Sequence, residues 1–352
     1  MNLAIAHRRE IGPEAWDAFV EKTDEAWLWH LFHFQDAFAT WPDRRDLSFA
    51  VVDSRQGEVL AAIPLQLIRR TKAQVLTINL LESLGGPACA GGVPEKTRLQ
   101  IRQAAQDRLL ALGRQYRVLQ IDLALPPMAP AYRGERCPRV NPLLSLGYDN
   151  TLTQTYVIDL RRPEEELWQG LTGNCRNMVK RAEKEGVTVR EADSLADLER
   201  YYQMHLETYR RTGAAPHPLA YFQQIWENFA SRGYSHIFLA EHQGEVVAAA
   251  NVGAYKGAMI YWTGASKTNL PSPGVNNLLQ WHAISYARRH GCEWYESGEA
   301  FPHLKEGKLK GLNDFKKSFG GEFYPYYRSR LVIRRYLQLL YSFYHSWRGI
   351  NA

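Results

Sequence analysis

The sequence predicts an α/β fold with mixed sheets, built as two tandem copies of one α/β unit. Three observations lead there. The phrase Gln56-Gly57-Glu58-Val59-Leu60-Ala61-Ala62 returns as Gln243-Gly244-Glu245-Val246-Val247-Ala248-Ala249. Each copy lies between apolar runs, Phe49–Asp53 and Val59–Leu67 in the first, Ile237–Glu241 and Val246–Val252 in the second. A glycine-centred turn between apolar strands reads as a β-hairpin, and two such hairpins far apart point to a repeated unit. The 352 residues suit two domains of ordinary size, and 45% hydrophobic with 23% charged residues is ordinary for a globular chain.

The first unit, residues 1–150, opens with a helix over Pro13–Val20, with Trp16, Phe19 and Val20 on one side. Aromatic residues fill Trp27–Trp41, helical from about Phe34. The hairpin follows, then a strand over Leu76–Leu84 stopped by Gly85-Gly86-Pro87. Glu95–Gln115 reads as a helix with Leu99, Ile101, Ala105, Leu109 and Leu112 as its buried stripe. Val118–Leu125 is a strand, and the Pro/Arg/Gly-rich segment Pro126–Pro142 is a surface connection.

The second unit, residues 151–333, repeats the plan. A strand over Thr155–Leu160 leads into a helix over Pro163–Glu185, with proline in its first turn and Gly186 as its stop. A strand over Gly186–Glu191 and helices over Leu195–Arg211 and Pro218–Arg232 precede the second hairpin. A strand over Ala258–Gly264, a loop to Pro273, a helix over Gly274–His290 and a strand over Cys292–Ser297 come next. A short helix over Asn313–Phe319 and a strand near Ser329–Ile333 close the unit. The tail, residues 334–352, is a basic and aromatic helix, suited to a membrane surface or to docking on its own protein.

Composition narrows the function classes. Cys89, Cys137, Cys175 and Cys292 are scattered, with no CxxC pair for a structural zinc site, so no metal is expected. Free thiols, an N-terminus without an apolar leader core and no run of ~20 apolar residues point to the cytoplasm, with the tail offering contact at the inner face of the membrane. A net charge of +6 fits an anionic partner without selecting one.

An antiparallel meander entering a helix and then a neighbouring strand is the order of the GNAT acyltransferase fold, and four stretches resemble its FemAB-like and CelD-like branch. They are the basic helix Leu171–Ala182, the T-x-x-R stretch His205–Arg211, the strand-loop-helix of Tyr261–Ser266 and Leu278–Ile284, and the GL-x-x-FK-x-x-FG signature Gly311–Gly321. The first unit is matched only by its plan and by Leu84-Gly85-Gly86-Pro87. The Fem proteins are double-GNAT enzymes that move amino acids from aminoacyl-tRNA to peptidoglycan precursors. The CelD-like acetyltransferases sit in polysaccharide and envelope gene clusters. The resemblance therefore implies two tandem GNAT-like domains and transfer of an acyl or aminoacyl group to an amine of an envelope glycan or peptidoglycan-type precursor. The donor is aminoacyl-tRNA or acyl-CoA, and no cofactor is tightly bound. The alternatives are an acyl-CoA-dependent N-acyltransferase of exopolysaccharide synthesis and a GNAT-fold binding protein without catalysis.

CoA-binding GNATs hold pyrophosphate with a glycine-rich loop before the central helix. Here that loop is Leu270-Pro271-Ser272-Pro273-Gly274-Val275-Asn276-Asn277, and its prolines have no N–H to donate. The departure weighs against ordinary CoA binding.

Acyl transfer to an amine needs a proton acceptor, a stabilised oxyanion and a held donor. The resemblance implies that Lys316 lies near the aminoacyl acceptor end, where its compact charge stabilises developing negative charge, with Phe315 packed beside it. Glu296 and Glu299, at the end of a strand bordering the cleft, are candidates for the base or for binding an α-ammonium. Arg176, Lys180 and Lys184 share one helix face and Arg181 lies to one side, a stripe that suits phosphate or is simply solvated. Arg211 is a candidate for an acceptor diphosphate or for satisfying the end of its own helix. Tyr261, Gly264 and Asn277 lie on the matched strand-loop-helix and are expected at the substrate site. His282 and His303 are weaker candidates, His282 lying on an apolar helix. No Ser-His-Asp or Cys-His arrangement stands out, so transfer is expected directly between bound substrates.

Overall fold

The computed structural model describes residues 2–72, 76–300, 304 and 306–334. The chain divides into two units, one built from residues up to Leu152 and from Tyr327 onward, the other from Thr153 to Tyr326. Along the first unit run β1 (Leu3–His7), α1 (Arg8–Ile11), α2 (Pro13–Lys22), α3 (Phe32–Phe38), β2 (Arg44–Asp46), β3 (Phe49–Asp53) and β4 (Val59–Ile63). They are followed by β5 (Gln66–Lys72), β6 (Leu76–Ser83), β7 (Ala88–Cys89), α4 (Glu95–Gln115) and β8 (Gln120–Ala124). Its strands form two sheet segments, β1-β3-β4-β7 and β2-β5-β6-β8. Helix α4 buries Ile101, Ala105, Leu109 and Leu112, whereas Leu99, expected in that stripe, is 54% exposed. Two residues before Ile101 is about 200° around a helix, so Leu99 points away from the face the other four share.

The second unit contains β9 (Leu152–Asp159), α5 (Glu164–Gly170), α6 (Gly173–Lys184), β10 (Val187–Glu191), α7 (Leu195–Thr212), α8 (Leu219–Ile225) and β11 (Ser235–His242). Then come β12 (Glu245–Tyr255), β13 (Ala258–Ser266), α9 (Val275–Arg289), β14 (Trp294–Ala300), α10 (Lys308–Lys317) and β15 (Glu322–Val332). Its strands are ordered β10-β11-β12-β13-β14-β9-β15. β15 leaves the second unit at Tyr327, and its residues Arg328 to Val332 pair with β8 within the first unit.

The helix expected over Pro163–Glu185 is two helices. Leu171 and Thr172 are extended, and the Thr172 hydroxyl accepts the Cys175 N–H at 3.2 Å as the cap of α6. Capping offers Thr172 a better use of its oxygen than a helix interior does. The short helix near the end also starts earlier than expected, at Lys308, and the last strand starts at Glu322. The basic aromatic tail beyond Arg334 and His303 lie outside the described residues.

The repeated phrase folds the same way twice. In the first copy Val51 pairs with Ala61 and Val52 with Val59, so Leu60 is an extra residue. In the second Ala240 pairs with Ala248 and Glu241 with Val246, so Val247 is extra. Leu60 and Val247 hold the same place in the two phrases, and both are β-bulges that add twist just past the turn. Gly57 and Gly244 both have positive φ, 70° and 81°.

The core of the second unit lies between its sheet and helices α6 and α9. Cys175, Val179 and Ala182 meet Val275, Leu278, Leu279 and Ala283, over Phe238, Ala250 and Met259 of the sheet. Full burial of an aromatic side chain such as Phe238 contributes about 1.5–3 kcal/mol. The helices approach closely at Gly274, where a β-carbon would come within 1.9 Å of the Met178 carbonyl oxygen.

Candidate active site

The parallel strands β13 and β14 pair only over Ala258–Trp294, Met259–Tyr295 and Ile260–Glu296. Each carries a bulge just beyond. Between β12 and β13 the register passes from Asn251–Thr263 to Val252–Tyr261, which leaves Trp262 extra. Between β14 and β9 it passes from Glu296–Val157 to Gly298–Tyr156, which leaves Ser297 extra. A bulge bends its strand, and two bulges on adjacent strands at one level open a fork between them. A sheet that parts exposes unpaired backbone donors and acceptors, which a substrate can use.

Helix α10 brings a lysine to the fork. Phe319, just past its end, is 2% exposed, and Phe315 packs against it with ring centroids 5.0 Å apart. This anchor turns the next position, Lys316, inward, where it is 7% exposed. Its Nζ donates to the Glu299 carbonyl oxygen at 2.7 Å. Gly298 makes this possible. Its φ is +95°, and a β-carbon there would stand 3.0 Å from Lys316 Nζ and 3.8 Å from the Tyr261 carbonyl oxygen.

Burial pushes the Lys316 amine down to about 8, against the opposing pull of the Glu296 and Glu299 carboxylates. Loss of hydration disfavours the charged form, and nearby anions favour it; here the first effect is larger. At neutral pH the group is still mainly an ammonium, in a setting where its charge is little screened. Glu296 is 2% exposed, and its Oε1 accepts the Thr155 hydroxyl at 2.8 Å. Glu299 is half-buried and presents its main-chain oxygen to Lys316 Nζ.

Tyr261 folds across Gly264, where a β-carbon would meet its phenol oxygen at 1.8 Å. Residues three apart on a regular strand face opposite ways; the bulge at Trp262 puts these two on one side. Burial raises the Tyr261 phenol to about 12, so it stays protonated as a hydrogen-bond donor. Behind it, the Tyr201 and Thr263 hydroxyls share a hydrogen bond of 2.6 Å, and Asn251 Nδ2 donates to Thr263 at 3.3 Å.

The structure thus gathers Lys316, Glu296, Glu299, Phe315, Tyr261 and Gly264 around the fork and its flanking strands. The other expected residues lie away from the fork. Arg176 donates to the carbonyls of Gln169 and Leu171 and so closes the end of α5. Lys180 is exposed and lies over the Trp168 ring, 5.9 Å from its centroid. Arg211 donates to Ser266 Oγ at 3.2 Å and to the Lys267 carbonyl at 3.4 Å. Thr208, three residues earlier, accepts the Ser266 N–H and donates to its carbonyl. The T-x-x-R stretch therefore staples α7 to the end of β13. Asn277 donates to Cys175 Sγ at 3.3 Å and ties α9 to α6. His282 sits on α9, half-buried against Phe238. Gly298 and Thr155 were not anticipated; the isolated glycine in Glu296-Ser297-Gly298-Glu299 is the signal that marks a strand bulge.

The loop before α9 is mixed, with Pro271 and Pro273 exposed and the residues between and after them buried. Ser272 is 1% and Val275 0% exposed, and Gly274 lies against Met178 of α6. At the start of α9, where other helices offer N–H groups to an anion, the Gly274 N–H is already given to Ser272 Oγ at 3.3 Å.

These features define a GNAT-type acyltransferase fold in tandem. Residues 171–317 match the family model described as an acetyltransferase (GNAT) domain. Among solved structures the chain is similar to FemX, at 16% identity and TM-score 0.69, over 97% of this chain and 99% of that one. It is also similar to L-PGS from Bacillus licheniformis, at 17% identity and TM-score 0.56 over 92% of both chains. A tandem GNAT protein from the clavulanic acid biosynthesis pathway matches at 11% identity and TM-score 0.53, over 94% of this chain and 98% of that one. At such identities the likeness is one of fold. No curated protein matches by sequence. Among the described residues no His/Cys/Asp/Glu group is placed to hold a metal ion, and no helix is long and apolar enough to cross a membrane.

Proposed function

We propose that the protein transfers an aminoacyl group from aminoacyl-tRNA to an amine of a cell-envelope precursor of the peptidoglycan or glycan type. The observation that carries this reading is the buried Lys316 ammonium at the fork of β13 and β14. Transfer of an acyl group to an amine builds negative charge on the carbonyl oxygen, and a preorganised, poorly hydrated cation lowers that barrier. The Tyr261 phenol is a second donor on the facing strand. Glu296 or Glu299 takes the proton that the attacking amine releases as the amide bond forms; the ester bond to the tRNA ribose breaks, the departing ribose oxygen receives that proton, and no covalent enzyme intermediate is needed. Aminoacyl-tRNA places the reaction on the cytoplasmic side.

The chemistry of the loop before α9 favours aminoacyl-tRNA over acyl-CoA. Pyrophosphate there would need N–H groups, and Pro271 and Pro273 have none while that of Gly274 is given to Ser272 Oγ. Titration of the protein with acetyl-CoA, longer acyl-CoAs and charged tRNA, at fixed salt, tests the reading. Binding of charged tRNA with turnover that Lys316→Ala abolishes is the expected result. Saturable binding of one acyl-CoA, with no response to charged tRNA, would overturn the donor assignment. Activity unaffected by Lys316→Ala would overturn the site.

A further inference from the structure

The first unit holds a small polar notch at Gln66 and Glu82, distinct from the fork of the second. Gln66 on β5 and Glu82 on β6 are direct cross-strand partners, so their side chains leave one face of the sheet side by side. Trp29, Gln35, Phe38, Arg44 and Ser83 are among the other residues that line a notch of about 10 Å³ there, room for one water-sized group.

The amide orientations follow from one fixed point. The Trp29 carbonyl can only accept, and it takes the Gln35 Nε2 proton at 2.6 Å. The Gln35 oxygen therefore faces Gln66 and accepts from its Nε2 at 3.1 Å. That leaves Gln66 Oε1 as the free end of the relay. Gln66 is 3% exposed, and among the described residues its Oε1 meets no donor. A buried acceptor without a donor is costly, so the notch selects a group that brings N–H or O–H. The Glu82 carboxylate adds negative charge beside it. Arg44 reaches Glu82 only at 3.5 Å, the outer limit of a hydrogen bond, and lies over the Phe38 and Trp41 rings. The carboxylate thus keeps capacity for a second partner, and Trp29 and Phe38 add aromatic surface to the lining.

We propose that this notch binds a primary ammonium group, held by Gln66 Oε1 and the Glu82 carboxylate. The rest of the amine-bearing molecule passes out over the half-buried rim formed by Arg44 and Glu82. A neutral water satisfies Gln66 alone, whereas an ammonium also gives the Glu82 carboxylate a second charged donor beside Arg44. The site makes no assumption about the reaction at Lys316.

The test is a titration of the full-length, ¹⁵N-labelled protein with methylammonium chloride, read at the side-chain amide signals of Gln66 and Gln35. Sodium chloride and tetramethylammonium chloride at equal ionic strength are the controls, since neither brings an N–H. We expect a saturable shift of both amides with methylammonium alone. Glu82→Gln keeps the shape of the notch and should weaken binding at least about tenfold, as for a lost charge-assisted hydrogen bond. Lys316→Met should leave it unchanged. The absence of a saturable shift, or the same shift with either control salt, would mean that the notch holds water only and would overturn the proposal. Unchanged affinity in Glu82→Gln would do the same, and this variant carries the test even if Gln66→Met, used for assignment, fails to fold.

Discussion

Lys316 Nζ donates to the main-chain oxygen of Glu299 at 2.7 Å, in space that exists because residue 298 has no side chain. A helix lysine and a strand glycine together make a pocket for one positive charge. The carboxylates of Glu296 and Glu299 are near enough to act on that charge, but burial outweighs them.

That balance predicts a separation of activity from stability. Lys316→Met keeps the length and removes the amine, so transfer activity should fall by at least about a hundredfold, the scale of losing one transition-state donor. Stability should not fall with it. The amine lies at about 8 when folded against 10.5 when free, so the unfolded chain binds the extra proton between those values. The wild type should therefore gain stability as pH rises from about 8 to 10.5, and lose it again as pH falls back through 8. Chemical denaturation of both proteins at pH 7 and pH 10 would show this as a difference present in the wild type and absent from Lys316→Met.

Gly298→Ala should damage the site more than the fold. The φ of +95° costs a side chain about 1–2 kcal/mol, and the new methyl would stand 3.0 Å from Lys316 Nζ. A moderate fall in Tm with loss of most activity is expected. Retained activity at the wild-type level would show that Lys316 need not occupy this place.

His205 predicts the acid limb. It is fully buried, its Nε2 accepts the His217 N–H at 3.1 Å, and burial, then the neighbouring His217, push it down to about 3. The unfolded chain protonates this histidine near 6.5 and the folded chain does not. Its contribution is complete above 6.5 and is lost as pH falls toward 3, by up to about 1.4 kcal/mol per pH unit. His205→Gln should flatten the stability profile between pH 6 and 4; an unchanged slope would place the acid sensitivity elsewhere.

The two repeated turns predict matched costs. Gly57 and Gly244 have φ of 70° and 81° with nothing within 4 Å of a β-carbon, so only the backbone conformation is at stake. Gly57→Ala and Gly244→Ala should each destabilise by about 1–2 kcal/mol in urea unfolding. Costs differing by much more than that would mean that the phrases are alike in letters only.

Local chemistry was legible where the cause is local. The repeated phrase foretold two hairpins, because a glycine at positive φ between apolar runs has few other uses. The stripe Ile101–Ala105–Leu109–Leu112 foretold the buried face of α4. Leu99 was misread because hydrophobicity alone does not say which side of a helix a residue takes. The split of α5 from α6 was missed because Thr172 reads as an ordinary helix residue until its hydroxyl is seen on the Cys175 N–H.

The site was legible as a signature and not as a geometry. The Phe315-Lys316 pair was readable, since it stands in a patterned stretch. That Arg176 closes α5, and that Arg211 and Thr208 clamp Ser266, was not. Whether a cation faces a ligand or a carbonyl depends on what the rest of the chain leaves exposed.

By itself the sequence determined the strands, helices and turns, and the tandem plan, because periodicity and turn chemistry act over a few residues. The tertiary structure alone decided the fork between β13 and β14, the burial that lowers Lys316, the close packing of Gly274 on α6, and the amide relay that leaves Gln66 Oε1 without a donor. Each of these depends on groups far apart in the chain meeting at a few ångströms, and a buried polar group takes its energy from what surrounds it rather than from its neighbours in sequence.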